Sequence, residues 1–251
     1  MFGIVAASCV ACSTVLGVDD LPAKSQDAGV DAPPAPPSFC QKLQPPVTFC
    51  RDFDDGAPYD EGVDYWEAPR PNTTIRVDNQ NSVSRPASLL SEVAKTSKEE
   101  RRAYISYKYD QAATNIRLAF DLLIEQATKE SENVVVANLS FGTDAPDAHG
   151  LSVNVTNTSA HLEESVGNNQ YPKYDFAIQP KLGTWSRFEV QILTATRHVT
   201  AWIDGQQTVD AALEGTWHPA PLFFSVGTFW VTETDGIGVR LRHDNIVLDL
   251  K

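Results

Sequence analysis

Residues 183–207, GTWSRFEVQILTATRHVTAWIDGQQ, contain two segments in which apolar and polar residues alternate. The first segment covers 186–193, the second covers 198–203, and Asp204-Gly205 follows directly. Alternation with a period of two predicts strands that bury one face. Asp-Gly is a pair that readily adopts the positive φ angles of a tight hairpin turn. The stretch 197–210, RHVTAWIDGQQTVD, is therefore predicted to form a hairpin, with Asp204 as a turn residue rather than a catalytic acid.

The same alternation continues through most of the chain after Val47. Helical periodicity is nearly absent, and 88–101 (SLLSEVAKTSKEER) is the stretch that tolerates a helix. Many short strands, each with one apolar face, must be buried against a second sheet. The sequence therefore predicts an all-β fold, a two-sheet antiparallel sandwich. The predicted strands are 47–53, 74–78, 103–109, 115–124, 133–141, 150–156, 159–164, 174–178, 186–193, 198–203, 221–231 and 237–250.

Trp185, the 186–193 segment and the segment ending in Asp204-Gly205 resemble paired strands of the concanavalin A-like and laminin-G-like jelly rolls. In that superfamily a strand of the form G-x-W-x-x-V-x-V leads to one that ends in V-D-G. The closing HDNIVLDL of 243–250 is similar as well. The resemblance implies a jelly-roll sandwich. Lectins, adhesion modules, glycanases and lyases share this fold, so the resemblance does not fix an activity.

The N-terminal region has the order of segments found in exported, anchored proteins. Residues 1–12 are mostly apolar or small, and Val10-Ala11-Cys12 resembles the lipobox of bacterial lipoproteins, which implies lipidation of Cys12. The segment 13–39, rich in proline and alanine, is predicted to be a disordered tether. Segment 40–251 is then the jelly-roll domain. The resemblance implies an outer-membrane lipoprotein facing the cell surface or the periplasm, and a frayed apolar terminus is the alternative.

The 251 residues carry a formal charge of −13. An acidic protein repels phosphate backbones and anionic lipid head groups. We therefore expect no nucleic-acid partner, and contact with a membrane only through the lipid anchor. Neutral glycans, cations and basic proteins stay open as partners.

Two of the four cysteines are expected to form a disulfide. If Cys9 leaves with the signal segment and Cys12 is acylated, Cys40 and Cys50 remain as a pair. Exported proteins form disulfides, and closing so short a loop contributes roughly 3 kcal/mol. A zinc site is the alternative, but there is no CxxC and the five histidines are scattered in sequence.

Catalytic motifs of the superfamily are missing from the sequence. Retaining glycosidases of this kind carry E-x-D-x-x-E or a near variant, because two carboxylates must flank the scissile bond. The Arg, Gln-x-His and Tyr set of jelly-roll polysaccharide lyases is also missing, since Leu193 stands where a histidine would follow Gln191. The acid pairs nearest to this motif in spacing are Asp52/Asp54, Glu163/Glu164 and Glu233/Asp235. None of them has a third acid at the position that the motif requires.

Acidic residues near the two ends of the domain suggest a structural calcium site. Carbohydrate-binding sandwiches with acids on their terminal strands resemble this arrangement, and oxygen ligands suit Ca²⁺. The apolar residues of the last strand have odd numbers up to Leu241 and even numbers from Ile246 onward. This change predicts a bulge near His243, which would alter the direction of the Asp244 side chain. The predicted calcium ligands are Asp52, Asp54 and Asp244. Solvated acids and a turn at 54–56 are the alternative interpretation.

A ligand-binding face is predicted from the polar side of the strands. Trp202 alternates with core residues and should face outward, where an aromatic ring could stack on a sugar. The predicted ligand-binding residues are Trp202, Glu189, Gln191, Arg187 and Asn154, with Asn138 and the aromatics Trp217, Tyr171, Tyr174 and Trp66 as further candidates. The favoured function is non-catalytic, lectin-like glycan binding. A divergent polysaccharide hydrolase or lyase and a protein-adhesion module are the alternatives.

Overall fold

The computed structural model describes residues 36–66, 72–94, 101–128, 133–141, 149–167, 170–215, 221–231 and 238–251. The chain divides into two units, Met1–Pro36 and Pro37–Lys251, and the second contains the described secondary structure. Cys12 and nearly all of the expected signal and tether lie outside the described residues, so those assignments stay predictions. Over the described ranges, no helix is long and apolar enough to cross a membrane.

Strands dominate the described part of the second unit, which also contains the short helix α1 (Phe39–Lys42). The strands are β1 (Phe49–Arg51), β2 (Tyr65–Trp66), β3 (Thr73–Asp78), β4 (Ser88–Val93), β5 (Arg101–Tyr109), β6 (Asn115–Gln126), β7 (Val134–Phe141), β8 (His149–Val155), β9 (Ala160–Ser165), β10 (Lys173–Asp175), β11 (Trp185–Leu193), β12 (His198–Ile203), β13 (Gln206–Ala212), β14 (Leu222–Val231) and β15 (Val239–Leu250).

The strands form two antiparallel sheets whose apolar faces meet in one core. The eight-stranded sheet has the order β13-β12-β11-β6-β15-β4-β3, and β1 pairs with β15 beside this path. The seven-stranded sheet has the order β10-β9-β8-β7-β14-β5-β2. In this core the rings of Phe120 of β6 and Phe188 of β11, neighbours in the eight-stranded sheet, stack with centroids 5.4 Å apart, and both side chains are fully buried. The predicted two-sheet antiparallel sandwich is confirmed.

The predicted hairpin is formed by β12 and β13. Asp204 and Gly205 have φ angles of 52° and 76°, as a tight turn requires. The Asp204 carboxylate accepts a hydrogen bond of 2.8 Å from the Arg187 backbone nitrogen, which ties the turn to β11. Asp204 is therefore a structural turn residue, as expected.

The stretch that tolerates a helix, 88–101, forms strands in its described part, because 88–93 is strand β4 and 101 begins β5. β4 lies between β15 and β3, and the adjacent side chains Leu89 and Leu90 are both fully buried. A strand covered on both faces loses its alternation and then resembles a helical pattern. β13 was not among the predicted strands, because its sequence QQTVDAA is largely polar.

The bulge expected near His243 is confirmed. The pairing of β15 with β6 shifts between Asp244 and Val247, and Asn245 has a φ angle of 47°. The shift reverses which residues of the strand face the core. Leu241 faces it before the bulge, and Ile246 and Leu248 face it after the bulge.

The Cys40–Cys50 disulfide is present and ties α1 to β1. Replacing both cysteines by serine is expected to lower the free energy of unfolding by about 2 to 3 kcal/mol, because the unfolded chain regains the entropy of a short loop. Urea unfolding monitored by tryptophan fluorescence measures this loss. Wild-type protein treated with a reductant should reproduce it, whereas an unchanged midpoint in both samples would contradict the prediction.

Candidate glycan-binding groove

The predicted ligand-binding residues do not share one face. Trp202, Glu189, Gln191 and Arg187 lie on β11 and β12 in the eight-stranded sheet, whereas Asn154 lies on β8 in the seven-stranded sheet. The grouping is corrected for this reason: strands β8 and β11 belong to opposite layers of the sandwich.

On the eight-stranded sheet, the polar side chains of this set bind other protein groups. Glu189 accepts two hydrogen bonds from Arg117, of 2.8 and 2.7 Å. Arg187 donates to the Asn245 carbonyl oxygen at 2.8 Å, and Gln191 donates to the Asn115 side chain at 3.1 Å. These bonds account for the outward polar groups without a ligand.

A groove of about 590 Å³ lies on the outer face of the seven-stranded sheet, the face directed away from the eight-stranded sheet. Strands β7 to β10 contribute its floor because their outward residues alternate with core residues such as Leu139 and Leu162. The groove is lined by Val135, Asn138, Gly150, Ser152, Glu163, Ser165, Tyr171, Lys173, Phe229 and Trp230.

Four polar side chains cross the floor of the groove in a line, which we call the polar row: Asn138, Ser152, Glu163 and Lys173. Asn138 pairs with Ser152, Ser152 pairs with Glu163, and Glu163 pairs with Lys173 in the register of four neighbouring strands. With neighbouring strands about 4.8 Å apart, the row is about 14 Å long and runs perpendicular to the strands. Asn154 lies beside the row, two residues along β8 from Ser152; it is buried and donates to the Ser152 hydroxyl at 2.8 Å, so it supports the row rather than lining the groove.

Aromatic side chains lie at two opposite edges of the groove, outside the line of the row, and Trp230 pairs with Val135 rather than with Asn138. Phe229 and Trp230 come from β14, and Tyr171, which is 52% exposed, precedes β10. The guanidinium carbon of Arg102 lies 4.6 Å from the centroid of the Trp230 ring, and the ring of Tyr104 meets Phe229 edge-on at 4.7 Å. These contacts hold the two β14 rings in place. Tyr174 is held by Glu164 instead, and Trp217 and the side chain of Trp66 lie outside the described residues.

Glu163 is the acidic residue among the described groove lining. Its carboxylate lies 3.9 Å from His161 Nε2 and 3.3 Å from Lys173 Nζ. His161 and then Lys173 favour the charged form, so the pKa of Glu163 lies below its ordinary value. A carboxylate held ionised is a poor general acid. Hydrolysis by a pair of acids needs a second carboxylate, and the described lining supplies none.

The predicted calcium ligands are bound to protein groups. Asp52 accepts from the Cys40 backbone nitrogen at 2.8 Å. Asp244 is buried and accepts from the Val83 and Ser84 backbone nitrogens at 2.8 and 2.9 Å. Burial raises the pKa of Asp54, and raises that of Asp244 to about 7. Within the described part of the chain, no three His, Cys, Asp or Glu side chains converge as a metal site, and calcium stays a prediction.

Comparisons with known proteins give structural matches alone, because no family model and no curated protein sequence matches the chain. The endo-β-1,4-glucuronan lyase from the fungus Trichoderma reesei is similar with a TM-score of 0.65 and 12% identity, over 82% of this chain and 96% of that one. The cellulose induced protein Cip1 has a TM-score of 0.58 and 12% identity, over 80% and 96%. The catalytic domain of a laminarinase, an endo-1,3-β-glucanase from Thermotoga petrophila, has a TM-score of 0.56 and 12% identity, over 80% and 96%.

Identity this low shows a common fold and nothing finer. The match covers nearly the whole length of each neighbour, and it agrees with the two antiparallel sheets described above. The protein has the concanavalin A-like jelly-roll fold.

Proposed function

We propose that the protein binds a polysaccharide chain in the groove of the seven-stranded sheet. The polar row between aromatic side chains carries this proposal. Sugar rings offer apolar faces that stack on aromatic rings, and hydroxyl groups that exchange hydrogen bonds with amides, hydroxyls and carboxylates. Two of the similar structures are named as enzymes acting on polysaccharides, which supports a glycan as the ligand.

The direction of the polar row gives the direction of the chain. A glycan lying along the row would cross β7, β8, β9 and β10, with Trp230 and Tyr171 at opposite edges of the groove. Each strand then offers one polar side chain to a successive part of the ligand. An extended polysaccharide makes use of such a row, whereas a single sugar would contact only part of it.

Cleavage of the bound chain is the second candidate, and the names of the similar structures support it at least as strongly as binding alone. Tyr171 and Lys173 are the groove residues that could transfer a proton in an elimination reaction. New reducing ends or unsaturated products after incubation with polysaccharides would reveal cleavage. The one carboxylate among the described groove residues favours binding without hydrolysis.

Replacing Trp230 by alanine is expected to weaken glycan binding about tenfold or more, because the aromatic platform of the groove is removed. The measurement is affinity electrophoresis or calorimetry with a panel of soluble glucans, mannans, xylans and polyuronates. Circular dichroism and the melting temperature check that the variant is folded.

The matched control is Trp202→Ala, since Trp202 is a partly exposed tryptophan of the eight-stranded sheet, on the opposite side of the sandwich from the groove. This variant is expected to bind like the wild type. Loss of binding in Trp202→Ala with retention in Trp230→Ala would place the site on the opposite face and reject the groove.

A further inference from the structure

We infer that the groove takes an uncharged glycan rather than a polyuronate; this inference rests on the proposed function. The charged groups of the described groove lining are Glu163 and Lys173, and they lie 3.3 Å apart as an ion pair. His161, beside the row on β9, faces the same carboxylate. The local charges therefore compensate one another within the protein.

Recognition of a sugar carboxylate calls for a different arrangement. Arginine binds carboxylates with two parallel hydrogen bonds, and such a group is worth most where water is excluded. The described lining contains no arginine. The nearest one in the contacts above, Arg102, has its guanidinium over the Trp230 ring. The charge of Lys173 is already compensated by Glu163, so a uronate at this position would gain little from it.

The rest of the row suits hydroxyl groups. Asn138 and Ser152 offer neutral donors and acceptors, and Ser165 lies beside them in the lining. The ionised Glu163 accepts hydrogen bonds, and a sugar hydroxyl can donate one to it. A carboxylate of the ligand at the same position would be repelled. The net charge of −13 adds a long-range repulsion of polyanions.

Binding is compared for neutral and anionic polysaccharides with the whole protein at low and high ionic strength. The probes are soluble β-1,3-glucan, hydroxyethyl cellulose and galactomannan on one side, and alginate and polygalacturonate on the other. We expect the wild type to bind at least one neutral polymer about tenfold or more tightly than either polyuronate. Because no charge on the ligand is involved, the affinity should change less than about twofold with salt.

Glu163→Gln tests the ion pair directly. The substitution leaves Lys173 and His161 without their shared carboxylate, so we expect affinity for polygalacturonate to rise at least about threefold, and to fall again with salt. The matched control is Asp249→Asn on the eight-stranded sheet, which frees Lys251 from a contact of 2.8 Å outside the groove. It removes the same charge from the protein and should not raise polyuronate binding.

The outcomes separate the inference from the proposed function. Salt-sensitive binding of a polyuronate by the wild type, at an affinity equal to or above that for the neutral polymers, overturns the inference and leaves the groove as a glycan site. An equal gain in Glu163→Gln and Asp249→Asn also overturns it, since charge anywhere on the surface would then suffice. If the protein binds neither the neutral polymers nor the polyuronates, the proposed function is overturned, and the inference falls with it.

Discussion

Replacing Arg242 by methionine is expected to lower the free energy of unfolding by about 3 to 5 kcal/mol, the cost of leaving buried charges without their partner. Arg242 is 1% exposed. Its Nη1 atom lies 2.8 Å from Asp78 Oδ2, and its Nε atom donates to Glu125 Oε1 at 2.7 Å. Burial alone would raise the pKa of Asp78, but the bond and the charge of Arg242 keep it below its ordinary value. The variant would therefore leave this buried, ionised carboxylate with the longer contact of 3.4 Å to Arg76 in place of the one to Arg242.

The matched control is Arg117→Met on the same sheet. Arg117 also binds a carboxylate through two hydrogen bonds, but its side chain is 44% exposed. Water screens such a pair, and its loss should cost no more than about 1 kcal/mol. Urea unfolding of both variants measures the difference. Adding Asp78→Asn to Arg242→Met should restore part of the lost free energy of unfolding. Equal losses in the two arginine variants would show that burial does not determine how much the ion pair stabilises the protein.

The sequence was sufficient to predict the two-sheet fold because alternation is a local property. Each strand of an antiparallel sandwich shows its buried face in its own residues, as Phe188, Val190 and Ile192 do in β11. The turn at Asp204-Gly205 is equally local. The prediction failed at β4, where a second covered face removes the alternation. Burial of the outer face depends on other parts of the chain, and the segment itself carries no sign of it.

The groove could not be predicted because it depends on register and on a bulge. Strict alternation along β14 would place Trp230 with Phe224 and Val226, on the core side. The pairing of β14 with β7 shifts between Val226 and Trp230, so Val231 enters the core and Trp230 lines the groove. Trp202, which alternates without interruption, was correctly predicted to face outward, but on the other sheet.

His243 explains how a second irregularity is tolerated inside the sandwich. Val136 of β7 is skipped in the pairing with both neighbouring strands. His243, which is fully buried in the opposite sheet, places Nε2 3.0 Å from the Val136 carbonyl oxygen. The imidazole thus satisfies an acceptor that the bulge removes from the ladder. Because the acceptor needs an N–H donor, the neutral ring with its proton on Nε2 fulfils this role.

This arrangement predicts an acid-sensitive contribution to stability. Burial lowers the pKa of His243 from 6.5 to about 4, although the bond to Val136 opposes the shift. In the unfolded chain the imidazole takes up a proton near its ordinary pKa, whereas the folded protein resists protonation until about pH 4. The contribution is therefore complete above pH 6.5 and is lost as the pH falls toward 4, by on the order of 3 kcal/mol.

Asp244, the next residue, acts in the opposite direction. Burial raises its pKa to about 7, although hydrogen bonds from Asn245, Ser84 and Val83 favour the charged form. The folded protein therefore binds this proton more readily than the unfolded chain. Its contribution is present at low pH and is lost as the pH rises through about 7. Between about pH 7 and pH 4 the two neighbours largely offset each other, so the wild-type stability curve alone would conceal both.

The contribution of His243 becomes visible as a difference between wild type and His243→Gln. Glutamine keeps an N–H donor for the Val136 carbonyl oxygen but does not titrate. Asp244 enters both proteins equally, so it cancels in the difference. We expect the stability advantage of the wild type over the variant to shrink by on the order of 3 kcal/mol from about pH 7 to about pH 4, measured by urea unfolding at several pH values. A constant difference across this range would mean that folding does not lower the pKa of His243. The charged ring would then be accommodated beside the Val136 bulge without a loss of stability.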